Sequence, residues 1–102
     1  VCVLVDDMID TAGTITKAAD ALIDQGAEAV VIAATHAILS GPAVDRLKAC
    51  KVDEVIVTNT LPIPDDRRFD KLEVLSIAPL VSMAIREVFE DGSVTSLFDG
   101  NA

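Results

Sequence analysis

The sequence predicts an α/β fold built on a parallel, doubly wound sheet, and three observations predict it. The strand-like runs 2–6, 29–35 and 54–58 are rich in aliphatic residues without alternation, the pattern of strands covered on both faces. These runs alternate with stretches whose apolar residues recur at helical spacing, which implies right-handed crossovers between parallel strands. Polar clusters then follow the strands. Asp6-Asp7, Thr35-His36 and Thr58-Asn59-Thr60 all fall at expected carboxyl ends, the rim where such sheets bind ligands.

Each element has its own justification. Residues 2–6 form the first strand. Residues 14–25 read as a helix, with Ile15, Ala18, Ala19, Leu22 and Ile23 on one face and Gly26 as its stop. The second strand is 29–35. Ser40-Gly-Pro-Ala then opens a second helix, with Ser40 as candidate cap and Pro42 in the first turn. That helix runs to about Ala49 and carries Val44, Leu47 and Lys48 at helical spacing. The third strand is 54–58. A connection with two prolines, 61–68, is unsuited to a central strand. Residues 71–77 form the fourth strand. Ala78-Pro-Leu starts a last helix to about Glu90, whose expected buried side is Leu80, Ala84, Ile85, Val88 and Phe89. Asp91-Gly92 ends it, and 93–98 form a short strand or turn. No repeat or low-complexity segment interrupts this order.

The whole-chain properties narrow the function. With 102 residues there is at most one domain, large enough for a modest core. A net charge of −9 argues against a nucleic-acid partner, because phosphate backbones are met with Lys and Arg. It does not argue against a small phosphate ligand, since a loop of amides acts locally. Cys2 and Cys50 show neither a CxxC nor a metal spacing and read as buried or half-buried thiols of a reducing compartment. No apolar run reaches the roughly 18–20 residues that a membrane span needs. No basic leader precedes the first strand, so the expected location is cytoplasmic. The chain opens inside a strand without an initiator Met, which we read as a fragment of something longer.

The chemistry lies in residues 6–14, Asp-Asp-Met-Ile-Asp-Thr-Ala-Gly-Thr. Thr11, Ala12, Gly13 and Thr14 offer several backbone N–H groups and two hydroxyls at a helix start, an arrangement that favours a phosphate dianion. Gly13 lets backbone approach a ligand with no Cβ in the way. Adjacent carboxylates such as Asp6 and Asp7 repel and need a partner: sugar hydroxyls, a metal or another cation. Asp10 beside a phosphate turn is unfavourable unless it points away, caps the turn or meets a cation. Together these residues point to phosphorylated pentose chemistry.

The same stretch resembles the ribose-5-phosphate loop of the ribose-phosphate pyrophosphokinases, and Asp10 before Thr11 is the element peculiar to them. Residues 34–43 (Ala-Thr-His-Ala-Ile-Leu-Ser-Gly-Pro-Ala), 57–62 (Val-Thr-Asn-Thr-Leu-Pro) and 92–98 (Gly-Ser-Val-Thr-Ser-Leu-Phe) agree in order. The resemblance implies a phosphoribosyltransferase-like domain, here the C-terminal part of a longer enzyme whose N-terminal domain and lead-in strands lie elsewhere. That enzyme would transfer pyrophosphate from ATP to ribose 5-phosphate, with Mg²⁺ held mostly by ligands outside this chain.

The resemblance also implies residue roles. Asp6, Asp7 and Asp10 would line the sugar and Thr11, Ala12, Gly13 and Thr14 would hold its 5-phosphate. Ser96 and Phe98 would contribute to a regulatory nucleotide site between subunits, with plain packing as the competing reading. No catalytic residue and no metal set are expected in this chain, which would be inactive alone and part of a homo-oligomer. A fragment of a nucleobase phosphoribosyltransferase, or of a non-catalytic regulatory paralogue, is the alternative.

The remaining polar residues stay open. His36 reads as structural, with ligand or subunit contact as the other reading. Thr58, Asn59 and Thr60 either donate to a ligand edge or terminate their strand. Arg67-Arg68 beside Asp65-Asp66 read as a self-neutralising surface cluster, and the resemblance places that connection in a subunit-contact region.

Overall fold

A computed structural model describes residues 1–90. Four parallel strands lie side by side in chain order: β1 (Cys2–Ile9), β2 (Val30–Ala37), β3 (Glu54–Thr58) and β4 (Leu72–Leu75). Helix α1 (Gly13–Asp24) connects the first pair and α2 (Ala43–Ala49) the second. A 3-10 turn at Asp65–Arg67 interrupts the connection to β4, and α3 (Ala78–Phe89) follows it. The aliphatic strands pair as their composition requires, with Leu4 beside Ile32 and Ile32 beside Val55. Helices α1 and α2 touch each other over one sheet face, where Ala19, Ile32, Leu47, Val55 and Val57 are fully buried.

The parallel α/β sheet agrees with the sequence reading, and its layering adds a detail. Each crossover advances the sheet by one strand in the same direction, so helices of one hand fall on one face. The second helical layer of a doubly wound sheet is not among the described residues. On that open face Val3 and Val5 are exposed, and Val31, Ala33 and Ile56 are half-buried.

Helix α3 corrects an expectation. Helical spacing predicts that its apolar stripe is buried, yet no residue of α3 is buried, and Ile85, Val88 and Phe89 are exposed. Helical spacing identifies a face that is able to pack, but burial needs a second surface against it. Within the described residues nothing covers this one. The expected helix stop at Asp91-Gly92, the terminal segment 93–98 and the candidates Ser96 and Phe98 lie outside the described residues.

Two helix ends show how local rules fared. Gly26 closes α1 as expected. It adopts φ 103°, and the Gly26 and Ala27 N–H groups donate to the Ile23 and Leu22 carbonyls at 3.0 Å each. Ser40 does not cap α2, because the residue at that position is Pro42, with no side-chain cap. The Ser40 hydroxyl is used elsewhere, on Asp10. At the opposite end of α2, Lys71 Nζ donates to the carbonyls of Cys50 (2.8 Å), Lys48 (3.2 Å) and Leu47 (3.4 Å). A cation there meets the negative end of the helix dipole.

Glu54 and Glu73 stand on neighbouring strands of the open face, Glu73 being paired with Ile56. A hydrogen bond from Glu73, then desolvation, then mutual repulsion raise the Glu54 carboxyl above its usual value. A raised carboxyl stabilises the fold below the unfolded-state value, where Glu54 keeps its proton, and loses that contribution as pH rises through the folded value. Once its carboxyl is ionised, Glu54 is repelled by Glu73. Glu73→Gln is therefore expected to raise Tm at pH 7 and to change it less at pH 4. Thermal melts at the two pH values check this, and an equal shift at both would refute it.

Candidate functional site

The polar clusters seen in the sequence do meet on one rim. Strand β1 runs on to Ile9, so Asp6 and Asp7 lie within it rather than beyond its end. The register sets Asp6 beside Ala34 and Met8 beside His36. Asp6, Thr35 and Thr58 line a depression of about 220 Å³ above the strands. The Thr58 hydroxyl donates to the Thr35 carbonyl at 2.7 Å, and His36 Nδ1 lies 2.7 Å from the Thr60 hydroxyl. Asn59 Oδ1 accepts from the Ile77 N–H at 2.8 Å. His36, Thr58, Asn59 and Thr60 thus all have protein partners that order the strand ends. Arg67 Nη1 donates to the Gly41 carbonyl at 2.9 Å, tying the β3–β4 connection to the start of α2, while Arg68 pairs loosely with Asp65 at 3.8 Å.

The turn from 10 to 14 is fixed from behind, one carbonyl at a time. The Asp10 carbonyl accepts from the Ser40 N–H at 2.9 Å. The Thr11 carbonyl accepts from Arg46 Nη1 at 3.1 Å. The Ala12 carbonyl accepts from the Thr16 N–H at 3.2 Å and from the Thr16 hydroxyl at 2.6 Å. In a trans peptide the C=O and the following N–H point in opposite directions. Three tethered carbonyls therefore turn the N–H groups of Thr11, Ala12 and Gly13 the other way. Among the described residues none of these three donates to a protein acceptor. Ala12 is left-handed, at φ 65° and ψ 12°, and the helix begins at once after it. A left-handed residue joined to a right-handed helix start brings successive N–H groups into a concavity that suits an anion.

The structure adds detail at two residues of the turn. The left-handed position is Ala12, whereas Gly13 is not among the positive-φ residues. A Cβ added at Gly13 would meet Arg46 Nη1 at 2.9 Å, so the missing side chain also makes room for the guanidinium. Asp10 has a protein partner, since its carboxylate accepts from the Ser40 hydroxyl, as its Asp10 carbonyl does from the Ser40 N–H. Asp6 Oδ1 accepts from the Asp7 N–H at 2.7 Å, and both side chains are exposed on the rim. Thr16 and Arg46 are participants that sequence reasoning missed. Thr16 is buried and polar at a helical position, its only available signal, and Arg46 is a surface residue 35 positions from Thr11.

No three His, Cys, Asp or Glu among the described residues come together as a metal site. Asp6 and Asp7 do not make a complete ligand set for a divalent ion, which takes six or more oxygens. Cys50 is buried, Cys2 is half-buried, and both are free. No helix of the described residues is long and apolar enough to cross a membrane.

A parallel sheet with acidic residues and an N–H-lined turn on its carboxyl rim defines an α/β segment with a candidate anion-binding turn. The comparisons with known proteins narrow this class. Residues 1–99 match the family model described as the phosphoribosyl synthetase-associated domain. The chain is 67% identical over 99 residues to a ribose-phosphate pyrophosphokinase of Streptomyces avermitilis, covering 97% of this chain and 31% of that protein. It is 63% identical over 101 residues to one of Mycobacterium bovis, covering 99% and 31%. The crystal structure of phosphoribosylpyrophosphate synthetase from Mycobacterium smegmatis superposes with a TM-score of 0.84 at 60% identity, covering 89% of this chain and 30% of that one. The chain belongs to the phosphoribosyl synthetase-associated domain family. It spans just under a third of the length of these relatives.

Proposed function

We propose that this chain is the ribose-5-phosphate-binding segment of a ribose-phosphate pyrophosphokinase, from the C-terminal part of the longer protein. The observation that carries the reading is the turn whose three carbonyls are tethered and whose N–H groups stand free, beginning three residues beyond an acidic pair on the same rim. Thr11, Ala12, Gly13 and Thr14 hold the 5-phosphate. Asp6 and Asp7 accept hydrogen bonds from the ribose hydroxyls, and Asp10, braced by Ser40, lines the sugar while fixing the turn. The parent enzyme transfers pyrophosphate from ATP to the C1 hydroxyl of that sugar.

Transfer to a hydroxyl needs cations to neutralise the triphosphate. In the family Mg²⁺ supplies part of that charge. The described residues offer no complete set of ligands for it, so no step is assigned to an ion held by this chain. The chain alone is accordingly inactive, a cytoplasmic platform that works with the rest of its parent. The open sheet face and the uncovered stripe of α3 support its association with further protein surface, in a homo-oligomer by analogy with the family.

A calorimetric titration tests this reading. Ribose 5-phosphate is expected to saturate the 102-residue chain and ribose to bind more weakly. Asp7→Asn should weaken ribose 5-phosphate about tenfold or more, because hydrogen bonds to charged groups contribute about 1.5–3 kcal/mol. Purified chain given ATP and ribose 5-phosphate should show no turnover. A folded chain that ignores ribose 5-phosphate, or that binds it equally well as Asp7→Asn, would overturn the assignment.

A further inference from the structure

The sequence reading gave Arg46 no role, yet its guanidinium is the only side chain among the described residues that bonds the Thr11 carbonyl. It reaches there from the middle of α2, whose start is itself bonded through the Arg46 N–H to the Pro42 carbonyl at 2.9 Å. It also lies against Gly13: a Cβ built at that glycine would come within 2.9 Å of Nη1 and 3.7 Å of Cζ. The guanidinium therefore spans the back of the turn, behind the Thr11–Ala12 peptide and beside the first residue of α1.

This placement has two physical consequences. The Thr11 carbonyl and the Ala12 N–H belong to one planar trans peptide, so a donor on the oxygen aims the N–H away from Arg46, toward the concave side. A cationic donor also polarises that peptide and leaves its N–H a stronger partner for an anion. Ala12 is held in a left-handed conformation that is unfavourable for a non-glycine residue, so the turn needs a tether to stay there. The tethers on either side, from Ser40 and Thr16, are neutral; only Arg46 brings charge.

We propose that Arg46 is a positioning residue for phosphate recognition: by holding the Thr11–Ala12 peptide it sets the affinity of the turn for the 5-phosphate and leaves the sugar contacts unchanged. The proposal rests on the reading of this turn as a phosphate site. It predicts a split between two ligands that differ only in the phosphate. Arg46→Met should weaken ribose 5-phosphate about tenfold, equivalent to about 1.4 kcal/mol, with ribose affinity within twofold of the parent chain. Arg46→Lys keeps the charge but not the planar fork, and should recover part of the loss. Loss of general structure would weaken both ligands alike.

The experiment is titration of the 102-residue chain and both variants with ribose 5-phosphate and with ribose, alongside amide NMR spectra of the free proteins. In those spectra Arg46→Met is expected to shift the Ala12 amide proton upfield and to leave the strand resonances in place. Equal weakening of the two ligands, or ribose 5-phosphate affinity within twofold of the parent chain, overturns the proposal. If the parent chain binds no ribose 5-phosphate, the phosphate-site reading fails by itself. The tether is then judged on the free-protein spectra, where an unmoved Ala12 amide in Arg46→Met overturns it too.

Discussion

Leu47→Ala is expected to cost about 2–5 kcal/mol and to bring the chain close to unfolding. Leu47 comes from α2 and is fully buried among Val30, Ile32, Val55 and Val57 of the core cluster. Truncation removes the transfer free energy of the lost carbons and leaves a cavity bounded by a rigid parallel sheet, which has little freedom to collapse into it. Stabilities of small domains lie near 5–15 kcal/mol, and a sheet with one open face belongs at the lower end of that range. Urea denaturation checks this: with slopes of roughly 1–3 kcal/mol per molar, the midpoint should fall by about 1 M or more. Leu75→Ala is the internal control. Leu75 is 49% exposed on the uncovered side of β4, and its truncation should stay within about 1 kcal/mol. Equal costs for the two leucines would mean that the helical layer is not packed as described.

Ala12→Val carries the largest effect at the site. Ala12 has φ 65° and is buried at 6% exposure. A β-branched residue at positive φ is a steric outlier, and two added methyl groups must fit into packed space. The expected cost is about 2–4 kcal/mol, with ribose 5-phosphate binding lost because the turn cannot hold its N–H groups in one concavity. Ala12→Gly is the contrasting variant. It adopts the same conformation freely, loses one buried methyl, and should keep stability within about 1 kcal/mol and affinity within a few fold. Thermal melts and ligand titrations of the pair separate backbone strain from loss of a contact. A benign Ala12→Val would show that the left-handed turn is not maintained in solution.

The sequence made the strands and the turn legible because both are local. An aliphatic run such as 29–35 needs only its own composition to declare a covered strand, and β2 begins one residue later than that and ends two later. Strand 54–58 appears unchanged. Gly26 ends α1 for a reason contained in one residue's backbone freedom. The run from Asp6 to Thr14 carried both the acidic pair and the N–H-rich turn, and it pointed to the family that the comparisons then showed.

The misreadings have a common physical source. Ser40 resembled a helix cap because a hydroxyl before Gly-Pro-Ala suits one locally, but its oxygen found Asp10, 30 residues earlier. Helical periodicity gave α3 an apolar face and could not say whether any surface lies against it. The sequence carried no sign that Ala12 takes the left-handed position, where flanking hydrogen bonds outweigh a modest intrinsic cost.

By itself, then, the sequence determined the parallel α/β class, the strand and helix order, the family and the acidic pair and turn that share one rim of the sheet. These follow from composition, periodicity and motif within short windows. Only the tertiary structure decided what holds the rim in shape: Ser40 on Asp10, Arg46 on Thr11, and the burial of Thr16 beneath Ala12. It also decided that α1 and α2 share one face while, among the described residues, the other stays open. Hydrogen-bond partners and layer assignments join residues far apart in the chain, and short-range patterns carry no information about which distant group arrives.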